Sequence, residues 1–325
     1  MREHARIGVV GATGAVGTVT LELLAERGFA DVRAFASARS ARKRVRFGAR
    51  ELVIEEATPE LLSAGDLDLC FFSVGTETSR ELVPPAASAG VLSIDKSDAY
   101  RLAQGVPLAV AGVNDDVLAA IEMPPEPGSS AAIVANPNCS AIQLTCALKP
   151  LHDAAGLKRV RLATYQSMSG AGDAGIQKLR TLAPAEGDLA MDWDFDGEEF
   201  SEEWKLREET RKILGLPQLP LQATCVRVPV LVGHAQAVWV ETKEPISVAE
   251  ARAALAAAPH VRVVDFVTPK DAAGEDDVLV ARIRGDSTDE RGLTLWVVND
   301  NLRKGAALNA VQVAELLLAR RLLPV

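Results

Sequence analysis

The sequence predicts an α/β protein of two parts. The first is a doubly wound parallel sheet, and the second is an α+β unit built on a largely antiparallel or mixed sheet. Three observations carry this. The chain has 325 residues, too many for one ordinary core. Its first half alternates short apolar runs with helical patterns, as strands buried on both faces do. Beyond about residue 138 the runs lengthen and alternate, as in a sheet with one open face.

In the first half the strands are expected at Ile7–Val10, Val32–Ala36, Leu69–Ser73, Val91–Ile94, Leu108–Ala111 and Ala132–Ala135. A helix carrying Val19, Leu21, Leu23 and Leu24 follows the first strand. Strands separated by helices require right-handed crossovers and a parallel sheet. In the second half the expected strands are Arg159–Met168, Leu221–Val232, Gln236–Thr242, Val278–Arg284 and Leu293–Val298. Ser247 and Glu250 form a capping box before an Ala-rich helix. A last helix from about Lys304 places Ala307, Val311, Ala314 and Leu317 on one side. The expected domains are 1–137, joined by the terminal helix 304–325, and 138–303. The acidic, Trp-containing stretch 186–203 reads as a surface excursion.

Composition narrows function. Lys and Arg total 35 against 44 Asp and Glu, a net charge of −9, so nucleic acid is not an expected partner. The four cysteines, Cys70, Cys139, Cys146 and Cys225, lack short metal spacing and are too few for a disulfide scaffold. No metal is expected, and a reducing cytoplasm fits. The longest uncharged run, Pro127–Leu148, is interrupted by Asn136, Pro137 and Asn138, so no segment reads as a membrane span and no export signal is evident.

Between the first strand and first helix lies Gly11-Ala12-Thr13-Gly14-Ala15-Val16-Gly17. Glycines there permit a tight turn and close approach to a pyrophosphate, and a helix N-terminus offers free amides. This is the loop of a Rossmann-type dinucleotide site. An NAD site places an acid about 20 residues on, to hold the ribose diol. Here the second strand instead runs into Ser37, Arg39 and Ser40, with Arg42, Lys43 and Arg44 behind. A guanidinium and two hydroxyls suit a 2′-phosphate, so NADP is the expected cofactor. Arg42 to Arg44 read as a solvated turn.

Asn138 is an N-cap candidate, which sets Cys139 in the first turn of a helix where dipole and amides favour a thiolate. Cys70, Cys146 and Cys225 sit in apolar contexts and read as core. His234, after Gly233 at a break between strands, is the histidine best placed to be aimed at a pocket; His4 and His152 read as solvated, and His260 as a turn residue. Arg227, between Val226 and Val228, is costly to bury without a partner such as a carboxylate ligand. Gln166 reads as an ordinary strand glutamine, and Glu202 with Lys205 as a helical salt bridge.

The phrases GATGAVG, ASARS, NPNCS, LKPLHDAAGLKRV, TYQSMSGAG, EEWKLREETRKILG, TCVRVPVLVGHAQAV and DNLRKGAALNAV resemble bacterial aspartate-semialdehyde dehydrogenases along nearly the whole chain. The resemblance implies NADP-dependent interconversion of L-aspartyl-4-phosphate and L-aspartate 4-semialdehyde, through a thioester on Cys139, in lysine, diaminopimelate, threonine and methionine biosynthesis. It implies His234 as acid/base and Gln166 as an active-site amide. It assigns Arg227 to the substrate carboxylate, Glu202 to its ammonium, and Lys205 and Arg101 to phosphate, with Asn138 in the substrate site. Ser169, Gly170 and Asn301 are implied near the cofactor. A homodimer formed through the second domain's sheet is expected, a tetramer being the alternative. The chain departs from the family pattern at Lys96, Asp98 and Ala111-Gly112, and in a shortened segment 173–201. A related reductase of another acyl phosphate or an acyl-CoA is the second reading. A non-catalytic NADP-binding homologue is the third, and retention of Cys139, Gln166, Arg227 and His234 argues against it.

Overall fold

The computed structural model describes residues 5–121, 132–181 and 193–319. The chain forms two compact units, one from residues 1–137 with 306–325 and the other from 138–305.

The first unit starts with β1 (Ile7–Val10), every residue of which is buried. Then come α1 (Ala15–Glu26), β2 (Val32–Ala36), β3 (Arg44–Phe47), β4 (Arg50–Glu56), α2 (Pro59–Leu62), β5 (Leu69–Phe72), α3 (Thr76–Ser88), β6 (Leu92–Asp95) and β7 (Ile133–Ala135). The sheet order is β3-β4-β2-β1-β5-β6-β7, and all pairs are parallel except β3 with β4. From β1 the chain first builds outward through β2, then returns to lay β5 on the other side. The C-terminal ends of β1 and β5 therefore form the topological switch point where open α/β sheets bind ligands.

Two expectations fail here. Leu108–Ala111 is not a strand: Leu108 makes one bridge to Ala135, after which Asn114 Oδ1 takes the Val110 N–H at 2.8 Å and turns the chain. The basic residues after Ser40 are not all turn, since Arg44 opens a hairpin whose antiparallel edge was hidden by its charge.

The second unit contains α4 (Cys139–Ala155), β8 (Leu157–Gln166), α5 (Gly172–Thr181), α6 (Ser201–Leu214), β9 (Leu221–Arg227), β10 (His234–Thr242), α7 (Val248–Ala257), β11 (Val261–Val263), α8 (Pro269–Ala272), β12 (Val278–Gly285) and β13 (Gly292–Asn299). Its sheet is mixed, in the order β11-β12-β13-β10-β8-β9, with parallel pairs at both edges. The strand expected over Leu221–Val232 ends at Arg227, because Pro229 two residues on has no N–H for the ladder. α4, α6 and α7 pack on one face. The other face is covered in part by Val267 and, from α8, Ala272, packed over Ala235, Leu279, Ala281 and Val298. Its open part carries exposed Tyr165 and Trp239, with the Tyr165 and half-buried Trp296 ring centres 5.5 Å apart.

The chain then returns to the first unit. A π-type turn, Arg303–Ala307, precedes α9 (Leu308–Ala319), so the last helix starts later than its apolar spacing suggests. Asn309 on α9 is fully buried and binds Ala111 N–H, Ala109 O and Asn136 Oδ1, stitching the helix to the end of β7. Among the described residues no helix is long and apolar enough to cross a membrane.

Candidate active site

In the second unit the site is built around the first residue of α4. Asn138 caps the helix, its Oδ1 accepting from Ser140 N–H at 2.8 Å. That leaves Cys139 half-buried, whereas Cys70, Cys146 and Cys225 are buried outright. Burial pushes the Cys70, Cys146 and Cys225 thiols above the ordinary range, so these three stay protonated. Cys139 alone combines access with a helix N-terminus.

Two glutamates of α6 hold the cap from behind. Glu209 Oε2 accepts the Asn138 backbone N–H at 2.6 Å, and Glu202 Oε1 accepts Asn138 Nδ2 at 2.9 Å. Glu202 Oε1 also accepts Gln166 Nε2 at 2.9 Å, and Thr164 donates to Gln166 Oε1. Glu203 receives Cys225 N–H and Phe200 N–H. The end of the acidic stretch is therefore not a surface excursion: its carboxylates are buried because amides of α4, β8 and β9 satisfy them. Residues 186–192 of it lie outside the described residues.

His234 faces the thiol, with Nε2 3.1 Å from Cys139 Sγ. The ring is wholly buried, and its Nδ1 accepts the Ser167 backbone N–H at 3.0 Å. Burial, reinforced by the charge of Arg227, lowers the pKa of His234 from 6.5 to about 3. Behind the ring, Asn301 Oδ1 takes Gly233 N–H at 2.8 Å and Ser167 Oγ–H at 2.9 Å, while its Nδ2 donates to Ser169.

Arg227 ends β9 in register with Gln166. It is 8% exposed, donates from Nη1 to Ser167 O at 3.1 Å, and lies 4.6 Å above the Trp193 ring. Gly170 closes this corner. A methyl group there would stand 3.0 Å from His234 Cε1 and 3.2 Å from Arg227 Nη1, so both side chains meet at that glycine. Cys139, His234, Gln166, Asn138, Glu202, Arg227, Ser169, Gly170 and Asn301 thus form one neighbourhood. Lys205 sits one turn along α6 from Glu202 and is half-buried.

Sequence reasoning missed three of these groups. Glu209 had a signal, standing seven residues after Glu202 and so on the same helical face. Ser167 acts on His234 through its backbone, which no side-chain pattern reveals. Trp193 was folded into the acidic stretch. His152, expected to be solvated, accepts Leu157 N–H and closes the end of α4, and His4 lies outside the described residues.

The first unit holds the glycine loop. A methyl group on Gly11, at φ +82°, would stand 2.3 Å from Ser73 O, and one on Gly17 2.0 Å from Gly11 O, so neither position admits a side chain. α1 opens at Gly14 with no side-chain cap, which leaves its first-turn amides available to a phosphate. Ser37–Ser40 form a turn at the end of β2, closed by Ser40 N–H to Ser37 O at 2.8 Å, with Arg39 exposed. Arg101, also in this unit, donates Nε to Asn136 O at 3.1 Å and Nη2 to Lys96 O at 2.6 Å.

Residues 6–121 match the sequence profile described as semialdehyde dehydrogenase, NAD binding domain, and residues 148–192 and 190–304 match semialdehyde dehydrogenase, dimerisation domain. The chain is 43% identical over 350 residues to an aspartate-semialdehyde dehydrogenase of Corynebacterium melassecola, covering 96% of this chain and 98% of that one. The chain belongs to the aspartate-semialdehyde dehydrogenase family. An Aquifex aeolicus member is 41% identical over 98% of the chain and 99% of its own length. The crystal structure of aspartate semialdehyde dehydrogenase II from Vibrio cholerae superposes with a TM-score of 0.90 at 39% identity, covering 97% of this chain and 98% of that one. The same enzyme's complex with ASA matches with a TM-score of 0.89 at 38% identity. Members of this family are phosphorylating dehydrogenases, and a nicotinamide-nucleotide domain is part of the matched architecture.

Proposed function

We propose that this family member is an NADP-dependent aspartate-β-semialdehyde dehydrogenase that works through a thioester on Cys139. The reaction interconverts L-aspartyl-4-phosphate with L-aspartate 4-semialdehyde and phosphate, and its product feeds lysine, diaminopimelate, threonine and methionine synthesis. The observation that carries the reading is the half-buried thiol at the start of α4, 3.1 Å from His234 Nε2. A helix N-terminus favours the thiolate, the nucleophilic form.

Each residue then has a task that its surroundings support. Glu202 ties Asn138, the neighbour of the thiol, to Gln166 and leaves negative charge for a substrate ammonium. Arg227, held in a dry setting by Trp193 and Ser167 O, suits a substrate carboxylate. Together they favour a zwitterionic amino acid over other acyl groups. Lys205 and Arg101 are assigned to phosphate. For Arg101 the support is two backbone carbonyls, Asn136 O and Lys96 O, which aim its guanidinium.

Gly11, Ala12, Thr13, Gly14, Ala15, Val16 and Gly17 would hold the dinucleotide, with Ser37, Arg39 and Ser40 on the 2′-phosphate. The nicotinamide, when bound, exchanges the hydride that separates hemithioacetal from thioester. Ser169 and Asn301 hydrogen bond each other and are buried, which supports a positioning role and leaves direct cofactor contact in that corner to Gly170. We also propose a homodimer through the open sheet face, where Tyr165 is 36% and Trp239 49% exposed in the single chain. Four cysteines outside any disulfide accord with a reducing cytoplasm.

Phosphate-dependent formation of NADPH from aspartate semialdehyde tests the reading. Cys139→Ala should abolish turnover while NADP still binds. Turnover at the wild-type rate in that variant would overturn it.

A further inference from the structure

We propose that Arg42 is a specificity-determining residue for the cofactor, a strained arginine that supplies a second guanidinium to the 2′-phosphate of NADP beside Ser37, Arg39 and Ser40. The inference rests on the NADP reading proposed above and adds a residue to it.

The backbone is the first observation. Arg42 stands at φ +68°, in the left-handed region where a Cβ crowds the following carbonyl. Two other non-glycine residues among those described share it, each with a local reason. Arg282 lies where β12 slips register against β13, and His260 in the short connection from α7 to β11. Arg42 is the third residue of the turn Ser40–Lys43, closed by Lys43 N–H to Ser40 O at 3.2 Å, a position that with positive φ belongs to glycine or asparagine. The strain is locked in. Arg42 N–H donates to Ile54 O at 2.8 Å, and Ile54 N–H to Lys43 O at 2.8 Å. Glycine would serve the fold better here, and strain kept against the fold points to a ligand.

The second observation is place. The turn Ser37–Ser40 carries the groups assigned to the 2′-phosphate, and the turn that holds Arg42 begins at the same Ser40. Two residues span at most about 7 Å, a gap that a long arginine stem covers. Arg42 and Arg39 are both exposed.

The third is charge. Six Lys or Arg residues fall between 39 and 50, in a chain of net charge −9. Arg44 and Arg46 lie on the edge strand β3, where charge protects an open edge. Arg44 pairs with Glu51, Arg46 donates to Gly48 O, and Arg50 donates to Ala30 O and lies over the Phe47 ring. Among the described residues Arg39, Arg42 and Lys43 meet no carboxylate. The acid at the end of the neighbouring strand is a reason to need more than one cation. Glu56, exposed and in register with Ala36, closes β4 beside this turn, whereas Glu55 is already paired with Arg33. Arg39 alone would be largely offset by Glu56; Arg42 restores the balance toward a phosphate, and its planar fork suits phosphate oxygens better than the point charge of Lys43.

Titration calorimetry with 2′,5′-ADP and with 5′-AMP tests this without turnover. Arg42→Gly should weaken 2′,5′-ADP roughly tenfold relative to 5′-AMP, the loss expected of a charge-assisted phosphate contact. Arg42→Asn, which accepts the left-handed backbone and has no charge, should show the same loss. Lys43→Ala should shift the ratio less than threefold, as for an exposed charge. In steady state, the ratio of kcat/KM for NADP over NAD should fall about tenfold in both Arg42 variants. Arg42→Gly should melt at or above the wild-type temperature, since the strain is gone. An unchanged ligand ratio, a loss shared equally by 5′-AMP, a loss in the glycine variant alone, or a lower melting temperature would overturn the proposal. A wild type that binds both ligands alike would remove the NADP reading itself. A wild-type preference that Arg39→Ala abolishes and Arg42→Gly leaves intact would sink only the inference about Arg42.

Discussion

Replacing Gly170 by alanine perturbs the site by an amount the structure fixes. The added methyl would stand 3.0 Å from His234 Cε1, 3.1 Å from Nε2 and 3.2 Å from Arg227 Nη1. Carbon contacts are comfortable at about 3.5–4.0 Å, so the ring must withdraw by roughly 0.5 Å. It has little freedom to do so, since Nδ1 is tied to Ser167 and the whole side chain is buried. Misplacement of a catalytic group by 1 Å costs on the order of 100-fold, so half that displacement predicts about a tenfold fall in kcat. Steady-state assays of aspartate semialdehyde oxidation at saturating phosphate would measure it, beside thermal melts showing that the fold survives. A folded variant with unchanged kcat would refute the placement of His234. A variant that raised only the KM for NADP would show that Gly170 serves the cofactor alone.

Further predictions address the supports of the site. Glu209→Ala leaves the buried Asn138 N–H without its acceptor, which should cost about 1–3 kcal/mol of stability and lower kcat while NADP affinity holds; Glu209→Gln, still an acceptor, should recover most of the melting temperature. Trp193→Ala removes a cation–π contact of about 0.5–2 kcal/mol from Arg227 and should raise the KM for aspartate semialdehyde roughly 2- to 30-fold with kcat little changed. An unchanged KM would show that the Arg227 corner does not hold substrate. The depressed pKa of His234 makes acid destabilising. The unfolded chain takes up a proton below pH 6.5 that the native ring refuses until about 3, so this contribution is full above pH 6.5 and falls by about 1.4 kcal/mol per pH unit below it. Denaturant midpoints from pH 7 to 4.5 should show that slope in the wild type and a shallower one in His234→Gln.

The nucleotide half of the fold was legible because its strands are short apolar runs between helices, and because the glycine loop sits where β1 meets α1. β3 escaped notice because a charged edge strand, Arg44-Val45-Arg46-Phe47, looks like a solvated turn in one dimension. Leu108–Ala111 misled in the opposite sense: its residues are buried, as strand residues would be, yet Asn114 and Asn309 satisfy the backbone there in place of a ladder. The thiol was legible from Asn138 and the helix that follows. Glu202 and Gln166 drew attention chiefly through the family motifs, since a glutamine on a strand and a glutamate on a helix advertise nothing, whereas Arg227 stood out as an arginine between two valines. What one-dimensional reading could not supply was the convergence of β8, β9, β10 and α6 on the start of α4, and the backbone amide of Ser167 that binds the histidine's Nδ1.

Mass spectrometry of the intact protein after incubation with aspartate semialdehyde and NADP, without phosphate, tests the central claim most directly. An aspartyl adduct should accumulate on the peptide containing Cys139 and disappear when phosphate is added. Turnover without an adduct, or an adduct on another residue, would contradict the covalent route through Cys139.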